Sequence, residues 1–552
     1  MRSRTRHGVN AVMLVHGAVG AVVLSSAAGF WGAAMPAVAR AHVRDMLVAA
    51  AFYVVTWAVA RRPGRGTAVQ IAVCLAGGVA AAWLLLQYRH LAPDDKVGAA
   101  SAVGRMLSAP FPPVTAWTPL PNSLATLLEG LVLAAAGLGL STQPRRVRLL
   151  AGGAAALMAL AVFVTASRGA WVAVVVAATA ALLAWRQVPA VIWRAGAALG
   201  AAVALAAAVA ALAPGEPWFL RWATAAGRPD RVDVYRHALT LLGDAPFSGV
   251  GGGAQFAPVL SAFALLIQVP YLTYAHALPL DLWLQHGLAG VAAWIALGVA
   301  VMMTAAAGER RGLGWRTRGL WAGLLAVFVH GMTDARQMVD AWTWWPTFAL
   351  AGLLAGAMDG HGIRLPARSW AWPPTVAVAL AAAVLAGRGH PAAAWEVNLG
   401  AIAQHQALAQ AGEVRDMLEA AAERHYLAGL AHDPADLPGL RRRGLQLLAR
   451  DDFAGALAHL RAAWRLDDAH PTAQKALGLA ATWTGDIALA RAVLADVPGI
   501  VDELNTWSRF RAEQGQIALA LNAGRVSLAL VPAQPDQAAW LATLDPASAP
   551  RR

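Results

Sequence analysis

Runs of about 20 apolar residues recur through the first two thirds of this chain, and each is long enough to cross ~30 Å of hydrocarbon. They are read at 10–29, 45–60, 67–88, 121–140, 149–166, 169–185, 195–214, 277–304, 319–334, 341–359 and 371–387. The expectation is an all-α polytopic bundle of about 11 transmembrane helices. Composition agrees: of 552 residues 58% are hydrophobic and 14% charged, with mean hydropathy +0.51. Soluble domains carry roughly a quarter charged residues, so a mostly soluble or disordered chain is excluded. The single cysteine, Cys74, rules out an internal disulfide and any CxxC metal or redox site. Arg2, Arg4 and Arg6 precede the first apolar run without a small-residue cleavage site after it, so no cleavable signal is expected.

The net charge of +13 would suggest nucleic acid on a soluble protein. Here the arginines sort by loop. With a cytoplasmic N-terminus, inner connections hold clusters such as Arg61-Arg62-Arg65, Arg145-Arg146-Arg148 and Arg310-Arg311-Arg316-Arg318. Outer connections hold scattered cations: Arg40, Arg44, Arg89, Lys96, Arg105, Arg168 and Arg336. This bias predicts a multi-pass protein of the cytoplasmic (inner) membrane. It places a large loop, 215–276, and everything after 388 on the extracytoplasmic face. Much of the charge is then orientation, and nucleic acid drops out as a partner.

The expected division is a membrane domain over 1–387 and a polar helical domain over 388–552. A repeat is visible in the second. Gly444, Phe453, Ala456 and Leu460 return 34 residues later as Gly478, Ile487, Ala490 and Leu494. A weaker third copy reads Gly515, Ile517, Ala520. A period of 34 with small residues at helix crossings is similar to the tetratricopeptide repeat. It implies either a concave surface for a protein or glycan partner or a stack that braces the rest.

Four outer-face features can carry chemistry. Ser167-Arg168-Gly169 lies between two apolar helices, where an arginine costs ~2.5–3.5 kcal/mol at bilayer depth; it is an anion clamp or an interfacial snorkelling side chain. Arg228, Arg231 and Arg236 fall within nine positions, and guanidinium groups grip phosphate oxygens in pairs. They precede Asp244-x-Pro246-x-x-Gly249-Val250-Gly251-Gly252-Gly253, an anion-approaching backbone or a tight turn. Tyr274-Ala275-His276 sits just before a helix, whose dipole and neighbouring arginines favour a neutral imidazole at pH 7. Pro121-Asn122-Ser123 opens another helix, with Asn122 or Ser123 as its cap. Asp281, Asp334 and His330 lie in or near membrane helices, as functional groups or as partners of an arginine such as Arg336. No metal-ligand spacing is present on this face.

Together Pro121-Asn122-Ser-Leu-Ala125, Ser167-Arg168-Gly169, Arg231-x-x-x-Tyr235-x-x-Ala238-Leu239 and His276 with Gly287-Leu-Ala-Gly290 resemble the O-antigen ligase family. That family includes O-antigen polymerases and bacterial protein O-oligosaccharyltransferases. The resemblance covers roughly residues 60–360. It implies a glycan donor carried on undecaprenyl diphosphate and no cofactor or metal. By position it gives Arg168 and Arg231 the diphosphate and His276 the activation of the acceptor hydroxyl. Arg228, Arg236 and Asn122 are secondary candidates. Ala277 and Gln285 stand where the family usually has Asn and Glu.

The leading expectation is a metal-independent glycosyltransferase that moves a glycan to an acceptor hydroxyl on a glycan, lipid or protein. A polysaccharide polymerase and a protein O-oligosaccharyltransferase are the alternatives within the same chemistry. A lipid-linked glycan transporter, or a membrane-anchored repeat scaffold with a protein partner, are the non-enzymatic ones. Membrane lipids are partners in every case.

Overall fold

The computed structural model describes residues 8–94, 96–185, 229–269, 272–312, 314–359, 364–366 and 372–544. Ten of the eleven apolar runs coincide with helices, and the run at 195–214 lies outside the described residues. By length and apolarity six helices among the described residues can span a membrane, or seven if the bent pair Ala377–Arg388 and Pro391–Ala407 counts as one. Of the about 11 crossings expected, helix length and apolarity support six or seven among the described residues. Trp315–Gly331 and Trp344–Asp359 have only 17 and 16 residues, short of the ~20 that a straight crossing needs. The described residues divide into two compact units, one within 8–185, 248–256 and 272–382, the other within 229–247, 257–269 and 383–544.

In the first, membrane unit, the helix Pro121–Gly139 is central and buried along most of its length. It packs against Arg65–Leu91, Arg145–Val164, Trp315–Gly331 and Trp344–Asp359. Lipid offers no hydrophobic drive between helices, so close contact depends on small residues. Gly137 meets Gly319 so tightly that a Cβ on Gly137 would lie 2.6 Å from the Gly319 Cα. Gly130 meets Gly323 in the same way one to two turns along. A second glycine pair, Gly352 and Gly356, admits Tyr53, Thr56 and Ala60 of the helix Pro36–Ala60. Large apolar residues on the outer helices, among them Leu47, Val55, Leu75 and Val79, stay exposed, as a lipid-facing surface requires.

The second unit is a series of helical hairpins. Pro391–Ala407 pairs with Gly412–His432, Leu437–Ala449 with Phe453–Leu466, Pro471–Thr484 with Ile487–Leu494, and Ile500–Glu513 with Ile517–Leu530. The 34-residue period has a physical origin in these hairpins. A Cβ on Gly444 would lie 2.5 Å from Leu460 Cγ, and Gly478 meets Leu494 in the same way, so each glycine lets its two helices touch. The hairpin turns use a left-handed residue at the same place, Asp451 (φ 59°), Gly485 (φ 80°) and Gly515 (φ 74°). In the first two, an aspartate then caps the next helix: Asp452 accepts from the Gly455 amide and Asp486 from the Leu489 amide. Buried apolar clusters tie neighbouring hairpins together.

Candidate functional site

The helix Leu278–Arg310 is broken at Gly287, whose φ of 66° and ψ of −166° interrupt the backbone ladder. The glycine run 249–253 fills that break. The Val250 amide donates to the Leu284 carbonyl (2.6 Å), and the Gly253 amide donates to Gln285 Oε1 (3.0 Å). Gly249 lies against the Trp283 and Leu284 carbonyls, and a Cβ on Gly251 would lie 2.6 Å from Ala33 Cα. Of the two readings of this run, the structure favours the tight turn over an anion cradle, because these amides and the close approach serve backbone contacts.

Just before the same helix, Asp281 turns back to accept from the Ala275 amide (2.8 Å) and the Ala277 amide (3.4 Å). This clasp holds His276 in the left-handed region at φ 58°, a conformation that costs a non-glycine residue of order 1 kcal/mol and marks functional turns. His276 Nδ1 lies 4.0 Å from Asp334 Oδ1, and its ring sits 4.1 Å from that of Tyr274. Arg336 stacks over Tyr274 at 5.2 Å. Burial and the Asp334 carboxylate push the Tyr274 phenol well above its ordinary pKa, so it stays protonated. Asp334 is 5% exposed and accepts from the Ala335 amide (2.8 Å).

Arg168 opens the helix Arg168–Trp185 at the same end of the membrane unit. Its side chain is exposed and makes no hydrogen bond or ion pair among the described residues. Its turn is seated by Gly169, where a Cβ would lie 2.5 Å from Thr333 Oγ1 and 2.8 Å from His330 Cδ2. Thr333 is the neighbour of Asp334, so the Arg168 turn and the His276 clasp rest on one short segment. Below them His330 Nδ1 meets Glu129 Oε2 at 2.5 Å, with both side chains buried, and Ser167 Oγ lies 3.4 Å from His330 Nε2.

Asn122 is not a cap. The helix Pro121–Gly139 has Leu120 at its N-cap position and no side-chain cap, since Pro121 at the first helical position already has the fixed φ and no amide to satisfy. Asn122 Oδ1 instead accepts from Lys96 Nζ (2.5 Å), which also donates to the Thr165 carbonyl (2.6 Å) at the end of Arg145–Val164. Ser123 donates to the Asp340 carboxylate. Lys96 thus adds a cation beside the Arg168 turn, at a helix C-terminus that favours positive charge.

Arg231 and Arg236 belong to the second unit, on the helix Pro229–Asp244. Arg236 pairs with Asp233 at 2.6 Å, which leaves it poorly suited to a phosphate. Arg231 is partly buried. Arg228 lies outside the described residues. Two residues escaped the sequence reading. Lys96 counted only as an orientation charge. Glu129 was passed over, although one acid in an otherwise apolar membrane helix is a signal in itself.

No curated protein shows significant similarity to the chain. Residues 153–295 match the family model described as O-antigen ligase, a stretch that contains Arg168, Arg231 and His276. That match, together with six or seven helices long and apolar enough to span a membrane among the described residues, supports a membrane glycosyltransferase of O-antigen ligase or polymerase kind.

Proposed function

We propose that the protein transfers a glycan from undecaprenyl diphosphate to an acceptor hydroxyl at the outer face of the cytoplasmic membrane, without a metal. The observation that carries this reading is the strained His276, set between Asp334 and Tyr274 at the end of the bundle where Arg168 opens its helix. Neutral His276 takes the proton from the acceptor hydroxyl. The hydroxyl oxygen bonds to the anomeric carbon as the bond from that carbon to the diphosphate oxygen breaks. The leaving diphosphate carries the electron pair away, and the displacement inverts the carbon. Asp334 stabilises the imidazolium that forms. Arg168 and Arg231 meet the growing charge on the diphosphate, and fixed cations in a water-poor site contribute several kcal/mol to such a step. Lys96 adds to this field.

A ligase is favoured over a polymerase or a protein O-oligosaccharyltransferase by the family description alone. The hairpins of the second unit are of tetratricopeptide kind in this reading and face the extracytoplasmic space.

The test is purified protein in bilayers with a diphosphate-linked glycan and a hydroxyl acceptor. Undecaprenyl diphosphate should appear only when acceptor is present. His276→Ala should lower the rate by ~10²–10⁴, and Arg168→Ala by a similar factor, with the fold intact. Movement of intact donor across the bilayer without cleavage would replace this reading with a transporter.

A further inference from the structure

The helix Pro229–Asp244 and the turn that ends at Leu266 are held within the second unit by polar groups of the C-terminal hairpins. A helix ends with carbonyls that lack intrahelical partners. Where Ser261–Leu265 ends, the carbonyls of the four successive residues Phe263 to Leu266 are taken from outside. Arg441 donates to Phe263 O (3.0 Å), Thr472 to Ala264 O (2.8 Å), and Lys475 to Leu265 O (3.2 Å) and Leu266 O (3.1 Å). At the end of Pro229–Asp244, Arg388 donates to Gly243 O (2.7 Å). Asp244 is fully buried, in contact with Arg441 and with Arg442 Nε at 3.7 Å. Arg442 also lies over the Phe263 ring at 3.8 Å. The Phe247 amide donates to Asn398 Oδ1 (3.1 Å).

These groups tie the loop helix, the turn and the hairpins together within one unit. Two buried guanidiniums face Asp244, Arg441 with the Phe263 carbonyl as a second acceptor and Arg442 with the Ala401 carbonyl at 3.5 Å, and removing one partner of such a cluster is strongly destabilising. Arg231 and Asp244 stand 13 residues apart on one helix, about 20 Å at 1.5 Å per residue. A tilt of ~10° at Asp244 would then move Arg231 by roughly 3 Å, which is the length of a whole guanidinium–phosphate hydrogen bond.

We propose that the C-terminal hairpins are a positioning device for Arg231, locking the loop helix of their own unit through Asp244, Arg441 and the carbonyls of Phe263–Leu266 so that Arg231 is presented in one fixed orientation. The proposal rests on the reading of Arg231 as a diphosphate ligand. Arg441 acts through Arg231 and is a positioning residue, not a catalytic one. The acceptor and any partner of the hairpins do not enter into it.

The test uses the full chain in bilayers with the lipid-linked donor and a small hydroxyl acceptor that needs no recruitment. Arg441→Met should lower transfer at least tenfold, Arg441→Lys should recover part of it, and amide exchange over 229–244 should quicken while the membrane helices are unchanged. In an Arg231→Ala background, Arg441→Met should cost nothing further, because the lock works through the arginine already removed. Should Arg441→Met not fold, Lys475→Met and Thr472→Val remove carbonyl partners alone and should give the same pattern at smaller amplitude. Faster exchange with undiminished transfer overturns the proposal, as does an Arg441→Met loss that persists in full without Arg231. An Arg231→Ala protein as active as the wild type instead overturns the reading of Arg231, and the proposal with it.

Discussion

In the membrane unit Gly137 meets Gly319 backbone to backbone; in the second unit Asp244 meets Arg441 and Arg442 charge to charge. Both contacts fix helices that carry proposed site residues, yet they do so by opposite means. Lipid-facing helices gain nothing from hiding apolar surface from other apolar surface, so their positions come from how closely backbones approach. Helices packed outside a bilayer have that drive, and what buried charge adds is one specific arrangement at the cost of desolvation. The difference teaches where each unit is fragile: the first to added volume, the second to lost or misplaced charge.

The largest effect is expected at Gly319. A Cβ there would lie 2.5 Å from the Leu133 carbonyl, with no flexible side chain to give way. Gly319→Leu should leave no folded, monodisperse protein after extraction, whereas a normal elution profile would break the comparison on its membrane side. Next comes the charge cluster: Asp244→Ala should destabilise the second unit by ~3–5 kcal/mol, read as a lower denaturation midpoint of that unit while the membrane helices melt unchanged.

Acid gives a smaller, graded effect. Burial holds His237 down at about 4 and His470 down at about 3, with Arg441 adding to the latter. His470 Nδ1 caps the helix Pro471–Thr484 by accepting from the Ala473 amide, which requires the unprotonated ring. Both folded values lie below the unfolded ~6.5. Their contribution is therefore complete above pH 6.5 and is lost as pH falls from 6.5 towards 4, at ~1–2 kcal/mol per histidine by pH 5. Melting of the second unit across that window should show it, and His470→Asn, which can still cap, should flatten the profile. The smallest effect is at a hairpin cap, where Asp486→Ala should cost ~1 kcal/mol in the same melting measurement.

The two units also differ in how far they can be read from residues alone. Apolar runs locate helices well, so the run at 10–29 is the helix Ala11–Ala28 and that at 121–140 is Pro121–Gly139. The number of crossings is less legible, because helices such as Trp344–Asp359, with 16 residues, are at the short end of what spans a bilayer. The 34-residue period is legible because Gly444 and Gly478 have a packing duty that any larger residue would break. Arg168 and His276 stand out as polar groups at apolar borders. What stays hidden is pairing across long sequence distance. Lys96 with Asn122, Glu129 with His330 and Asp244 with Arg441 join residues 26, 201 and 197 positions apart, and no local pattern encodes such partners. Asn122 misleads for the same reason: its residue type suits a cap, but Pro121 has taken the helix start and Lys96 claims the side chain.

The most direct measurement exploits the backbone at His276. With φ at 58°, glycine fits that position without strain, so His276→Gly removes the imidazole and leaves the clasp of Asp281 in place. Release of undecaprenyl diphosphate in the presence of acceptor should then fall to background and return when free imidazole is added. A His276→Gly protein that turns over donor as fast as the wild type, with no response to imidazole, would contradict the assignment of His276 as the base.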